Sequence, residues 1–191
     1  MKVAFMGNPE FALPSIQKIT KSKHEIKAII SNPPKPMGRK KVLNYTAVGN
    51  YSLSNNIELI ELDSFNNDHI FEKLASLNVD IFVVVAFRIL PEMYISIPHF
   101  GSINLHASIL PKYRGAAPIQ WALMNGEKTT GVSIFQIEKK VDTGKIITQK
   151  KINIDKNDNY GLLSKKLSYI GAEALVDALN RLEKGNVNFI K

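Results

Sequence analysis

The segment IFVVVA at residues 81–86 constrains the fold of this chain most, because its consecutive apolar residues leave no polar face. A continuous Ile/Val/Phe run of this kind is typical of a parallel strand that is buried on both faces. Strand and helix patterns alternate around it over the first 125 residues. We therefore predict an α/β fold, a doubly wound, mostly parallel Rossmann-like sheet flanked by helices.

The other elements are predicted from hydrophobic periodicity and from the positions of Gly, Pro and Asn. Further strands are predicted at residues 2–6, 25–31, 57–62 and 102–105, and two antiparallel neighbours at residues 132–137 and 146–154. Helices are predicted at residues 12–21, 46–55, 68–77, 118–124 and 161–184. Residues 31–41, SNPPKPMGRKK, are predicted to form a Pro-rich basic loop.

The composition narrows the classes of protein to which this chain could belong. Its 191 residues, 45% of them hydrophobic, suit one domain with a single core, and the absence of cysteine excludes disulfides, thiolate catalysis and Cys-based metal sites. No apolar run approaches the ~20 residues of a membrane span, and the start MKVAFMGNPEF does not resemble a signal peptide, so we expect a cytoplasmic protein. The net charge of +8 indicates either an anionic partner or a lysine-rich coding bias.

The first turn argues against a dinucleotide or P-loop site. Gly7 is the one glycine in GNPEF, and Pro9 removes an amide donor from the turn. A pyrophosphate site of the G-x-G-x-x-G kind needs several glycines and free backbone amides.

Asn104 and His106 lie two residues apart in an apolar segment that is predicted to be an interior strand. This spacing places both side chains on the same face, which is either a buried polar network or the floor of an active site. Asp142 lies in a turn before a later strand and could orient or charge the imidazole. These three residues include no nucleophile, so they suit direct attack of an external amine on a carbonyl.

The other three histidines lack companion ligands in sequence. His24, His69 and His99 lie beside helix or loop signals, and we predict that each is a surface histidine.

The sequence resembles the catalytic core of the methionyl-tRNA formyltransferases, within the formyltetrahydrofolate-dependent formyltransferase superfamily. The resemblance rests on NLHASILPKYRGAAPIQWA at residues 104–122, followed by GVSIF and VDTGKII. It extends to GNPEFALPSI, SNPPKPMGRKK and VVVAFRILP, in the same order and spacing over essentially the whole chain.

The resemblance implies a reaction in translation initiation. It implies that 10-formyltetrahydrofolate, without a metal, donates a formyl group to the free amino group of initiator methionyl-tRNA. Asn104 and His106 match the family's oxyanion-stabilising and proton-handling residues. Asp142 matches the carboxylate that keeps the imidazole correctly protonated and helps relay the proton of the amine.

The resemblance also implies two binding surfaces. The predicted folate-binding residues are Phe87, Arg88, Ile89, Leu90, Ser108, Ile109, Leu110 and Pro111. The predicted tRNA-binding residues are Lys35, Arg39, Lys40 and Lys41. The alternative for this second group is a solvated lysine-rich loop.

The pattern departs from the family at the C-terminal end. The methionyl-tRNA formyltransferases carry a second, C-terminal barrel domain, whereas this sequence ends at Lys191. We therefore expect residues 1–191 to be a single formyltransferase catalytic domain without that barrel, and to be a monomer.

Three alternatives to a tRNA enzyme remain open from the sequence. Glycinamide ribonucleotide formyltransferase has a similar length, but it uses a glycine-rich first turn that GNPEF lacks. A sugar-nucleotide N-formyltransferase would use the same donor and shares part of RGAAP. A non-catalytic relative would bind folate or RNA without turnover.

Overall fold

A seven-stranded sheet forms the centre of the computed structural model, which describes residues 1–38, 41–66 and 68–190. Its strands are β1 (Lys2–Gly7), β2 (Glu25–Ser31), β5 (Glu58–Glu61), β6 (Ile81–Val85), β7 (Ser102–His106), β8 (Thr129–Gln136) and β9 (Ile146–Asn153). The helices are α1 (Leu13–Thr20), α2 (Ala47–Ser54), α3 (Asp68–Ser76), α4 (Glu92–Ile95), α5 (Pro118–Met124) and α6 (Tyr160–Glu183). The strand order is β5-β2-β1-β6-β7-β8-β9.

The predicted fold class is confirmed. The five strands from β5 to β7 pair in parallel, whereas β8 is antiparallel to both β7 and β9. The predicted helices and strands lie within a few residues of their observed bounds. The short helix α4 was not predicted, because four residues are too few to show a helical period.

The prediction of a loop over residues 31–41 is wrong in part. A short strand β3 (Lys35–Met37) pairs antiparallel with β4 (Val42–Asn44) and forms a hairpin directly after β2. Strands of three residues, one of them containing Pro36, carry no readable alternation of apolar and polar positions.

Each central strand is buried on both faces, as the apolar run at residues 81–86 predicts. In β1, Val3 and Phe5 pack on one side with α1 and α6, while Ala4 and Met6 pack on the other. The side chains of β6 alternate between the same two sides of the sheet, and all five of its residues are buried. The parallel centre of the sheet is therefore covered by helices on both sides.

The strand order places a crevice at the carboxyl ends of β1, β6 and β7. From β1 the chain adds β2 and β5 on one side, and then β6 and β7 on the other. Ligands of doubly wound sheets bind at such a reversal. None of the helices described here is long and apolar enough to cross a membrane.

Candidate active site

A cleft of about 1210 Å³ opens at the reversal of strand order. Its walls are the first turns of α1, the segments that follow β6 and β7, the loop that contains Asp142, and the N-terminal half of α6. Small-molecule pockets usually measure about 300–1,000 Å³. This cleft therefore has room for a drug-sized ligand together with part of a second molecule.

Asn104 lies in β7 at the floor of the cleft. It is half-buried between Val84 of β6 and Phe135 of β8, its register partners. Its side chain makes no hydrogen bond to the residues that the structure describes, and it lines the cleft. The amide therefore has a free donor directed at a ligand site.

His106 ends the same strand and also lines the cleft, although its residue surface is only 8% exposed. Its Nε2 atom lies 2.7 Å from the carbonyl oxygen of Tyr113. Because a carbonyl oxygen only accepts, Nε2 carries a proton and Nδ1 faces the other side of the ring.

Asp142 lies on that other side. Its Oδ2 atom is 3.5 Å from Nδ1 of His106 and accepts a hydrogen bond of 2.8 Å from the backbone N–H of Gly115. The backbone of Asp142 is left-handed, with a φ of 52°, and this turn points its carboxylate inward. The structure thus places Asp142 beside His106, and both line the same cleft as Asn104.

The segment after β6 forms a second wall. Phe87, Arg88, Ile89 and Leu90 all line the cleft, after a left-handed turn at Ala86 with a φ of 50°. Ile89 is 72% exposed, whereas Leu90 is buried. The wall therefore presents apolar surface to the cleft.

Arg88 has internal partners. Its guanidinium donates to the side-chain oxygen of Asn32 and to the carbonyl of Asp63, and it lies 5.4 Å from the centre of the Phe87 ring. These contacts hold Phe87 and the cleft wall against the ends of β2 and β5.

The other predicted folate segment lies outside the cleft lining. Ser108 and Leu110 are buried, Ile109 packs over Gly131, and the Leu110–Pro111 bond is cis. The polar groups of this segment are engaged in a network around Ser133. Its hydroxyl donates to the Ser108 carbonyl and accepts from the Leu110 N–H, at 2.7 and 3.0 Å. Folate contact by Ser108, Ile109, Leu110 and Pro111 stays a prediction.

The structure describes two of the four predicted tRNA-binding residues. Lys35 and Lys41 are exposed on the β3–β4 hairpin, whereas Arg39 and Lys40 lie outside the described residues. The hairpin also carries two apolar side chains in solvent, since Val42 is 58% exposed and Leu43 is 61% exposed.

Two groups of residues at or near the cleft were not predicted. Helix α6 contributes Tyr160, Ser164 and Tyr169 to the lining, and the only signal for them is their place on its polar side. Tyr113 contacts His106 through its backbone, which leaves no pattern of side chains to read. The described residues contain no group of three or more His, Asp and Glu that could hold a metal ion.

The prediction that His24 is a surface residue is wrong. It is 4% exposed, and its Nδ1 lies 3.2 Å from the amino group of Met1. Burial, and then the Met1 amino group, lower the pKa of His24. His24 lies outside the cleft lining and plays no part in the site.

Comparison with known proteins identifies the family. A family model described as formyl transferase matches residues 1–179, and this chain therefore belongs to the formyl transferase family. A relative from Flavobacterium psychrophilum, named methionyl-tRNA formyltransferase, is 42% identical over 188 residues, which are 98% of this chain and 60% of the relative. A relative of the same name from Thermodesulfovibrio yellowstonii is 44% identical over 184 residues, 96% of this chain and 60% of that protein. The predicted family is confirmed, and the chain spans about 60% of the length of these relatives.

Solved structures share the fold. Phosphoribosylglycinamide formyltransferase from Bacillus halodurans matches with a TM-score of 0.79 and 22% identity, over 95% of both chains. The sugar 3N-formyl transferase WlaRD, solved with dTDP and 5-N-formyl-THF, matches with a TM-score of 0.73 and 24% identity, over 100% of this chain and 66% of that chain. At such identities these similarities establish the architecture alone.

Proposed function

We propose that this chain transfers the formyl group of 10-formyltetrahydrofolate to the α-amino group of initiator methionyl-tRNA, as a monomer in the cytoplasm. The observation that carries the proposal is that Asn104, His106 and Asp142 line one large cleft, with Asp142 beside His106. The choice of acceptor is supported by relatives 42% and 44% identical that are named for it.

The cleft suits a folate as the donor. Its volume of about 1210 Å³ exceeds that of a usual small-molecule pocket, and Phe87 and Ile89 supply an apolar wall for a flat ring system. When bound, 10-formyltetrahydrofolate supplies an activated formyl group. We propose that residues 87–90, Val141 and Asp142 hold the pterin, and that the unpartnered amide of Asn104 faces the formyl oxygen.

Asn104 and His106 stabilise the negative charge that develops on the formyl oxygen during attack by the amine. The Asn104 amide donates a hydrogen bond to that oxygen. The Nε2–H group of His106 donates to the Tyr113 carbonyl, and a proton accepted at Nδ1 during the reaction faces Asp142, so both N–H groups of the charged ring have a partner. Its positive charge therefore lies beside the developing oxyanion at little desolvation cost.

Asp142 receives the proton that the attacking amine must lose. Its Oδ2 atom accepts a hydrogen bond from Gly115 N–H and faces His106, whereas Oδ1 makes no hydrogen bond with the described residues. Oδ1 is therefore the oxygen that accepts the proton, directly or through water. The new C–N bond forms on the amine, the bond to the donor nitrogen breaks, and the proton passes to that nitrogen.

The β3–β4 hairpin supplies the RNA contact in this proposal. Lys35 and Lys41 are exposed cations beside the exposed apolar residues Val42 and Leu43. Arg39 and Lys40 add two more charges to the same segment. Contacts of lysine and arginine with phosphates are independent of sequence and sensitive to salt.

The decisive experiment offers three acceptors in parallel with 10-formyltetrahydrofolate. These are initiator methionyl-tRNA, an amino-sugar nucleotide and glycinamide ribonucleotide. A double variant, Asn104→Ala with His106→Asn, tests the site, and the matched control is Asn157→Ala with His99→Asn. The proposal is supported if the site variant fails to produce formyl-methionyl-tRNA while the control variant still produces it.

The other outcomes contradict this acceptor or this site. Transfer only to the sugar would make the chain a sugar-nucleotide N-formyltransferase. Binding of folate without transfer to any acceptor would indicate a non-catalytic relative. Equal activity of both double variants would place the chemistry elsewhere.

A further inference from the structure

Tyr113 lies behind His106, outside the cleft lining, and touches the imidazole through its backbone. Its carbonyl oxygen, 2.7 Å from Nε2, determines which ring nitrogen is protonated and which one faces Asp142. The orientation of the His106 ring therefore depends on where the Tyr113 carbonyl is held.

The backbone of Tyr113 is in an unfavourable conformation. Its φ of 55° lies in the left-handed region, which is unfavourable for a residue with a Cβ atom. Such a conformation persists only where the surroundings enforce it. The side chain of Tyr113 provides the anchor.

Two polar residues near the end of α5 hold the phenol. The Tyr113 hydroxyl donates to Oε1 of Glu127 at 2.7 Å and accepts from Nδ2 of Asn125 at 3.0 Å. Asn125 is the C-cap residue of α5, and the backbone N–H of Glu127 donates to the carbonyl of Ala122. Both partners are thus fixed to the helix, and the phenol is clamped between them.

The Glu127 carboxylate remains charged and able to accept. The hydrogen bond from Tyr113, and then the one from Lys112, lower the pKa of Glu127. Nζ of Lys112 lies 3.1 Å from the same Oε1 atom. None of Lys112, Tyr113, Asn125 and Glu127 lines the cleft, so the cluster acts on the site from behind His106.

We propose that Tyr113, clamped by Asn125 and Glu127, is a positioning residue that sets the orientation and tautomer of His106 for formyl transfer. This inference rests on the proposed function. It assigns a role to a cluster of side chains that lies outside the cleft lining.

The test compares Tyr113→Phe and Glu127→Gln with a matched control. Tyr113→Phe removes one hydroxyl and keeps the carbonyl, and Glu127→Gln removes the charge of its partner. The control is Lys150→Met, which breaks an ion pair of the same length, 3.1 Å to Glu173, away from the site. We expect kcat to fall about 10- to 100-fold in the first two variants, with the KM values for donor and acceptor unchanged. A displacement of the imidazole by about an ångström slows the reaction without weakening substrate binding.

A second readout does not depend on turnover. Nitrogen-15 NMR of the His106 ring, assigned by its loss in His106→Gln, reports which ring nitrogen carries the proton. We expect an Nε2–H pattern in the unchanged protein, and a shift toward a mixture of tautomers in Tyr113→Phe and Glu127→Gln but not in Lys150→Met.

Unchanged ring-nitrogen shifts and kcat, with only a lower Tm, would make Tyr113 a structural anchor and overturn the inference. If no acceptor is formylated by the unchanged protein, the proposed function fails, and the nitrogen shifts still decide whether Tyr113 positions the ring.

Discussion

Gly144 lies against the carbonyl oxygen of Gln136 so closely that a Cβ atom at residue 144 would overlap that oxygen. Gln136 ends β8, and Gly144 follows the turn that carries Asp142. This approach of two backbones holds the Asp142 turn onto the sheet beside His106. A residue two positions away from the carboxylate therefore determines whether Asp142 reaches the site.

Gly144→Ala should destabilise the protein and lower its activity together. The added methyl group forces the two backbones apart, and overpacking of this kind costs about 1–3 kcal/mol. Thermal unfolding and formyl transfer measure the two effects.

Gly161→Ala is the stability control, because a Cβ atom there makes only ordinary contact with Asn159 and the residue is helical. An equal Tm in Gly144→Ala and the unchanged protein would contradict this prediction, because it would show that the Asp142 turn accommodates the methyl group without loss of stability.

Asn104→Ala should reduce kcat by about 10²–10³-fold, the usual cost of one lost oxyanion donor. Folate affinity should change little, because the amide acts on charge that develops only during the reaction. Single-turnover formyl transfer and calorimetric folate binding measure these quantities. A loss of affinity as large as the loss of rate would indicate that Asn104 serves ground-state binding instead.

Removing the hairpin lysines should weaken tRNA binding in a way that depends on salt. For each of Lys35→Ala and Lys41→Ala, the slope of log K against log salt should fall by about 1 if the side chain contacts a phosphate. Lys73→Ala, an exposed lysine on α3, is the control. A slope that is the same in all three variants and the unchanged protein would make the hairpin a solvated surface.

Glu183 should contribute stability that depends on pH. Hydrogen bonds from Lys23, and then from the Met1 amino group, lower the pKa of the Glu183 carboxyl from 4.5 to about 2. Because the folded-state value lies below the unfolded one, this contribution is complete above pH 4.5 and is lost as the pH falls toward 2. The carboxylate is 32% exposed, so solvent screening reduces the size of the effect.

The measurement is Tm against pH for Glu183→Gln. We expect its deficit relative to the unchanged protein to be largest above pH 4.5 and to shrink in more acidic solution. Glu58→Gln, at an exposed position in β5, should show no such trend. A deficit that does not vary with pH would mean that the carboxylate charge is not responsible.

Local patterns were enough for most of the fold. The strand at Ile81–Val85 was predicted because burial on both faces requires an unbroken apolar run. The hairpin β3–β4 and the burial of His24 were missed. Three-residue strands have no period, and His24 is covered by groups distant in the chain, including Glu183 and the Met1 amino group.

The sequence by itself determined the parallel sheet, because strands with unbroken apolar runs alternate with helices. It also placed Asn104 and His106 on one face of β7, because side chains two residues apart in a strand point to the same side. Only the tertiary structure decided what surrounds them. Asp142 reaches His106 through a left-handed turn, and Tyr113 reaches it through a carbonyl anchored to Glu127. The first contact depends on the backbone conformation of a turn and the second on a backbone carbonyl, and neither is written in the pattern of side chains.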